Sequence, residues 1–566
     1  MALKKHGAKF DIFTKIAIVA VVAIISLLII VPVLSILFES TKPTGTNVLK
    51  SVFSNPVIRG TIKNTVWLGI SVGFIGTLIG FILAYIQVRV EFRGKKLLHI
   101  LTLVPLVSPP FAFATAVIVL FGRSGIISHD LLGKTPMLYG YPGLVIVLSA
   151  SYFPVAYLNL VGMMRSLDPA IDEAASSLGA NKFRIFRTVT LPLLIPGITS
   201  SFLLLFVEAI ADLANPLVIG GDYMVLSSRA YIAINGEYDV SAGAAYSAIL
   251  LLPALLVFII QRYWSQKKSV VSVTGKPSGQ ISPIKSKATK IPLLIFGWSV
   301  AAFIVMIYLA VISGAFIKIL GVNNTFTLDH YRYIFSGIAN DALKSTVIMA
   351  SIATPLAGFM GMVMAWLIIR KLKRGADALD FFGMLGIAVP GTVLGIGYAV
   401  TFNEPLKIAG VTIIPQLAGG GAILGGAIAI MMVYTIRSSP AGQRSGIAAL
   451  QQIDPSLDEA SASLGASGSR TFRKVSLPLI KGAFLTGLMF AFARSMTTLS
   501  PVLFIATPET PILTQKILAE SDSGRYGPAF ALCTLLIVIV LAVMGIITAA
   551  VRGRGSSEFK TTIVAG

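Results

Sequence analysis

The residues of this chain that could do chemistry are few, and their spacing excludes most of the chemistry they suggest. Asp172-Glu173 and Asp458-Glu459 are adjacent acids, as in a general acid/base pair. Each pair follows an Asp-Pro step, Asp168-Pro169 or Asp454-Pro455. Asp is a good helix N-cap, Pro suits the first helical position, and acids in the first turn are stabilised by the helix dipole. A helix start therefore explains these acids without catalysis. Gly133-Lys134-Thr135 has the ending of a phosphate-binding loop, but Ser128 stands where that loop requires glycine. ATP thus has no expected site in this chain. The four histidines form no HExxH and no pair at ligand spacing, and the single cysteine, Cys533, lies in an apolar run. Neither a metalloenzyme nor a disulfide framework follows, and no metal-ligand set can be assigned. What remains are three charges inside apolar runs: Glu208, Asp212 and Arg494. A charge at mid-membrane costs at least ~2.5–3.5 kcal/mol, which makes each a candidate for function.

The paired acids belong to a segment that occurs twice. Asp168, Asp172-Glu173-Ala174-Ala175, Gly179, Arg184, Phe186-Arg187, Val189 and Leu191-Pro192 recur at Asp454, Asp458-Glu459-Ala460-Ser461, Gly465, Arg470, Phe472-Arg473, Val475 and Leu477-Pro478. The offset is 286 throughout, and 16 of the 26 positions from 168 to 193 are identical, so the chain is two fused halves. In the first copy Ile171, Ala174, Ala175 and Leu178 form one apolar stripe at helical spacing, and Gly179 can take the left-handed conformation that ends a helix. Leu457, Ala460, Ser461, Leu464 and Gly465 repeat the pattern. The small residues would let a partner approach the helix closely. A helix that merely lies on lipid is the plainer reading of one copy; two copies with matching acids, small residues and glycine favour docking.

These loops lie in a chain that is 55% hydrophobic and 12% charged, with mean hydropathy +0.84. Soluble domains carry about 25% charged residues, so a polytopic membrane protein is expected. The net charge of +22 would suggest nucleic acid in a soluble protein. Here the basic residues cluster between apolar runs, as the positive-inside rule and anionic lipid require, so nucleic-acid binding is not expected. Apolar runs long enough to cross ~30 Å of hydrocarbon fall near 16–38, 64–88, 98–121, 143–163, 191–215 and 242–262, then near 291–316, 345–369, 380–402, 418–436, 477–500 and 527–551. The first is read as an uncleaved span. This predicts an all-α fold of about twelve spans in two parallel six-helix repeats: residues 1–264, a Ser/Lys/Gly/Pro-rich cytoplasmic linker at 265–290, and residues 291–566. Loop charge puts both termini and both repeated loops in the cytoplasm. Segments 122–142 and 216–240 are expected as wide external loops.

The repeated segment resembles the EAA loop of ABC importer permeases: Glu-Ala-Ala, three residues, Gly, nine residues, a β-branched residue, one residue, Leu-Pro. Glu173 to Pro192 fits throughout, with Val189 in the Ile position. Glu459 to Pro478 departs only at Ser461, which is still small. The resemblance implies a type I importer permease whose loops form coupling helices. These would dock in two copies of a separate ATPase, which would supply the ATP and Mg chemistry. It also implies an extracytoplasmic substrate-binding protein and a bacterial cytoplasmic membrane. The fused layout and the stretch Phe206-Val207-Glu208-Ala209-Ile210-Ala211-Asp212-Leu213-Ala214-Asn215-Pro216, followed by Gly220-Gly221, are similar to ferric-iron permeases. Thiamine, polyamine, sulfate and phosphonate permeases share fold and loop and remain alternatives. A gradient-driven secondary transporter would also have parallel halves, but it gives no reason for two docking loops.

The resemblance places the two fifth-position spans against each other around the path. Glu208 plus 286 is 494, so Glu208 and Arg494 are equivalent positions. They are expected to approach across the halves with Asp212 nearby, either as an outer gate or path lining, or as a static salt bridge. The spans show no evident carboxylate, Tyr or His cluster, so selection is expected to rest with the external binding protein.

Overall fold

A computed structural model describes residues 12–267, 284, 286–372, 374–408 and 411–552. Most of the 265–290 linker and the tail cations Arg554 and Lys560 lie outside these residues. Among the described residues ten helices are long and apolar enough to cross a membrane, or twelve with each of two bent helix pairs taken as one span. The bent pairs are Ala376–Ala388 with Gly391–Phe402, at 95°, and Gly468–Leu479 with Lys481–Thr497, at 77°. Two short antiparallel hairpins, Ile317–Ile319 with Asn323–Phe326 and Leu406–Ile408 with Val411–Ile414, are minor additions to the all-α expectation.

The repeat extends to backbone detail. Runs 98–121 and 380–402, expected as continuous helices, break at the equivalent Pro109 and Pro390. Proline lacks the amide donor and pushes the preceding residue out of the helical region, so a break there is intrinsic. The fifth span also stops early: its helix Leu191–Ala211 gives way at Asp212 to a short helix, Ala214–Ile219. Loop 216–240 is not wide and open as expected. Helix Leu226–Asn235 turns back into the protein with Leu226, Ser227 and Ala230 buried. Its first amide donates to Thr65 Oγ1 at 2.8 Å, and the second half repeats this from Leu513 to Thr346 Oγ1 at 2.8 Å. Close crossings fix the helices on either side. A Cβ added at Gly80 would sit 2.8 Å from the Tyr157 nitrogen, and one at the equivalent Gly361 would sit 2.5 Å from the Gln443 nitrogen. Larger residues there would push the second and fourth spans apart.

The first span of each half reaches across to the other half. Helix segment Val31–Glu39 lies on Gly391–Phe402, where Tyr398 Oη donates to the Leu28 carbonyl at 2.9 Å. Helix Lys287–Phe316 lies on Pro110–Phe121, where Phe303 meets Phe113 at 5.8 Å between ring centres and the Tyr308 and Ser108 hydroxyls are hydrogen-bonded. Near the polar end, Arg262 of the first half pairs with Asp380 of the second at 2.7 Å. The halves are interlocked at both ends of the sequence repeat.

Candidate functional site

The first repeated loop folds as helix Pro169–Ser177, capped by Asp168, whose carboxylate accepts from the Ala170 amide at 3.0 Å. Gly179 ends it with φ +83°, and the Ala180 amide reaches back to the Ala175 carbonyl at 3.1 Å. The second loop repeats each step in helix Ser456–Ser463: Asp454 accepts from the Ser456 amide at 2.9 Å, Gly465 has φ +78°, and the Ala466 amide bonds the Ser461 carbonyl at 3.1 Å. The Ser456 amide and hydroxyl hold the Asp454 carboxyl below its ordinary range. Each loop then passes through a single wide π turn, Phe186–Thr190 or Phe472–Ser476, into the next span.

The expected docking residues divide into two sets. Glu173, Ala174, Glu459 and Ala460 are exposed, and the apolar stripe points away from the protein: Ile171 is 41% exposed, Leu178 88%, Leu457 46% and Leu464 89%. Burying one such leucine is worth roughly 1.5–3 kcal/mol, so two uncovered copies at one spacing favour a partner over water. The other set turns inward. Asp172 pairs with Arg89 at 2.5 Å and Asp458 with Arg370 at 3.0 Å. Arg89 and Arg370 are themselves equivalent positions, at an offset of 281. Ala175 and Ser461 are half-buried, and Ser461 Oγ bonds Thr471 Oγ1 at 2.9 Å, so the one departure from the EAA spacing makes an internal hydrogen bond. Asp172 and Asp458 thus fasten each loop to the end of the second or eighth span.

The two fastenings differ in depth. Arg370 also donates to the Leu450 and Ile453 carbonyls at 3.1 and 2.7 Å, and its side chain is 7% exposed against 14% for Arg89. Removing one partner of a buried pair costs roughly 3–5 kcal/mol. Arg370→Ala is therefore expected to lower the melting temperature of the purified protein by more than Arg89→Ala, and equal shifts would contradict this ranking.

The intramembrane charges meet at the boundary of the halves. Glu208 Oε1 and Arg494 lie 3.7 Å apart. Both line a cavity of about 170 Å³ together with Asp212, Tyr152, Arg437 and Thr498. The broken third spans contribute Ser108 and Gly391 to it. Asp212 is buried and held by three donors: Tyr152 Oη at 2.6 Å, the Asn215 amide at 2.8 Å and Asn215 Nδ2 at 3.1 Å. The helix break at Asp212 makes this possible, because the freed Asp212 carbonyl takes the Ser227 hydroxyl at 2.6 Å while the carboxylate accepts from the Asn215 amide in the first turn of the short helix that follows. One wall therefore presents two carboxylates and a phenol from the first half, and the opposite wall two guanidinium groups from the second. Among the described residues no three His, Cys, Asp or Glu side chains come together, so this cluster is no closed metal cage.

Tyr152 and Arg437 were not among the expected site residues. The apolar run at 418–436 ends just before Arg437, whereas the helix runs Ala427–Gln451 and carries Arg437 near its middle. Adding 286 to the fourth run, 143–163, gives 429–449 and would have put it there. The buried Arg437 Nε has no hydrogen-bond partner, and Nη1 reaches only the Val389 carbonyl at 3.4 Å.

Two stretches, 76–270 and 353–554, match the family of binding-protein-dependent transport system inner membrane components. The ferric transport system permease protein FbpB of Actinobacillus pleuropneumoniae is 34% identical over 552 residues, covering 95% of this chain and 78% of the relative. The Haemophilus influenzae protein named FbpB 1 is 34% identical over 479 residues, covering 82% of this chain and 73% of the relative. The molybdenum transport system permease protein ModB of Escherichia coli is more distant, 28% identical over 191 residues, which are 32% of this chain and 83% of the relative.

Proposed function

This chain belongs to the family of binding-protein-dependent transport system inner membrane components, and from that premise we propose that it carries ferric iron into a bacterial cell through the cytoplasmic membrane. It is the membrane-spanning permease of an ATP-driven importer and does no chemistry on its substrate. Two copies of a separate ATPase dock on helices Pro169–Ser177 and Ser456–Ser463, bind ATP and Mg, and draw the helices together as they close. Arg89 and Arg370 pass that movement to the second and eighth spans, so the halves rock between outward- and inward-facing states. An extracytoplasmic binding protein delivers the substrate. Both termini lie in the cytoplasm.

The observation that carries the docking part is the pair of repeated helices with matching exposed acids and leucines. The iron part rests on the ferric relatives, which span nearly the whole chain, and on the oxygen-rich wall of Tyr152, Glu208 and Asp212. Phenol and carboxylate oxygens are hard donors suited to a small, highly charged cation. An incomplete set suits passage, which needs binding strong enough to admit the ion and weak enough to release it.

The test is uptake of labelled ferric iron by iron-starved cells with and without this chain, beside labelled molybdate and sulfate. Iron uptake that depends on the chain, with oxyanion uptake unchanged, is the expected result. Unchanged iron uptake with loss of either oxyanion would reverse the substrate assignment while leaving the transporter reading intact.

A further inference from the structure

The two docking loops differ in one respect that the repeat makes plain. Between the first loop, the end of the second span and the start of the seventh lies a cleft of about 1080 Å³, lined by Phe81, Tyr85, Phe186, Lys182, Thr289 and Leu293 among others. Ligand pockets for small molecules run to roughly 300–1,000 Å³, so this space is too large to be a packing defect. In the second half the same place is filled by the chain itself. Trp366 and Phe472, the counterparts of Tyr85 and Phe186, are 1% and 2% exposed, with ring centres 5.2 Å apart. Phe13 of the first span covers them, 5.9 Å from Trp366.

The sequence explains the difference. Thr14-Lys15-Ile16 at the start of the first span matches Thr289-Lys290-Ile291 at the start of the seventh, so Phe13 corresponds to Ala288. Where the second half carries a phenyl ring over Trp366, the corresponding position at the start of the seventh span carries only a methyl group. Thr14 is fully buried accordingly, while Thr289 is exposed, and Tyr85 and Phe186 are only half-buried.

We propose that the first-half cleft binds an anionic phospholipid, one acyl chain standing where Phe13 stands in the other half and the headgroup meeting Lys182. The position suits this, because the cleft runs from the apolar Phe81 and Leu293 to the polar end of the second span at Arg89. The charge suits it as well. Lys182, with Arg184 and Arg187 on the same two turns and Lys287 beside the lining residue Ser286, enters no ion pair among the described residues. Asp172 on the lining is already neutralised by Arg89, which leaves Glu173 as the only unpaired acid there among the described residues. Basic pockets between spans on the cytoplasmic side favour anionic headgroups. The lipid completes the packing behind one docking helix that the other completes with its own side chain. This holds whichever substrate crosses.

The test uses the full chain with its ATPase, reconstituted in bilayers of equal parts phosphatidylglycerol and phosphatidylcholine, extracted gently and weighed by native mass spectrometry. The wild type should retain one phosphatidylglycerol and Ala288→Phe none. Lys182→Glu should abolish the preference for phosphatidylglycerol. Equal retention by the wild type and Ala288→Phe would overturn the assignment. So would an Ala288→Phe protein that keeps its lipid and loses its ATPase, which would give the cleft to the partner.

Discussion

Replacing both Glu173 and Glu459 by arginine is expected to reduce uptake to background and to release the ATPase from the purified chain. Both glutamates are exposed on helices whose leucines are also uncovered, and neither is in an ion pair among the described residues. Reversing a charge within a docking surface costs several kcal/mol through like-charge contact, so two reversals should weaken attachment by well over a hundredfold. Folding should not suffer, because both side chains are exposed and the caps at Asp168 and Asp454 are untouched. The Asp172→Ala and Asp458→Ala variants make the contrast. They keep the docking surface but cut its link to Arg89 and Arg370. They should retain ATPase on the chain while uptake falls, separating attachment from transmission. Mass spectrometry of the gently purified double-arginine protein decides the matter: two ATPase copies still bound per chain would remove these helices as the docking sites.

That division of labour within one short motif was only half legible in the sequence. Spacing predicted the cap at Asp168, the left-handed Gly179 and Gly465, and the apolar stripe, because each depends on residues within one or two turns. It could not distinguish Asp172 from Glu173, since the choice between an inward and an outward acid is made by an arginine 83 residues earlier. Ser461 fits the spacing as a small stand-in for alanine, and its hydroxyl partner Thr471 appears only once the loop has folded back on itself. The spans show the same limit. Length and hydropathy located most of them, but hydropathy cannot see a helix break within an apolar run, and the breaks at Pro109, Pro390 and Asp212 are what shape the central cavity. The exchange of first spans between the halves leaves no trace in composition at all. Arg437 escaped for a different reason. A charge in a window lowers its hydropathy and draws the apparent end of the span toward it, so a functional intramembrane arginine tends to remove itself from the membrane on paper. The repeat offset, carried through every span, corrects that error.

The central charges allow a sharper test than single substitutions. Glu208→Ala and Arg494→Ala should each lower uptake by about tenfold or more, since each strands a charge that costs at least ~2.5–3.5 kcal/mol in a membrane. A static bridge and a working path both predict this. They part at the double variant. If the pair only neutralises two buried charges, Glu208→Ala/Arg494→Ala removes both and uptake should recover toward the wild type. If Glu208 lines the path of a cation and Arg494 holds it in place, the double variant should recover its amount in the membrane and remain slow. The second outcome is expected here, because the 3.7 Å separation is loose for a structural bridge and both groups face the central cavity. Asp212→Asn should be damaging as well. It keeps the volume but replaces a carboxylate that three donors surround, and a hydrogen bond to a charged group contributes about 1.5–3 kcal/mol, so a fall in uptake of roughly tenfold to a hundredfold follows. Tyr152→Phe removes one of those donors and leaves two, and its effect should be smaller. An Asp212→Asn protein present at normal levels and transporting at the wild-type rate would take the oxygen-rich wall out of the translocation path.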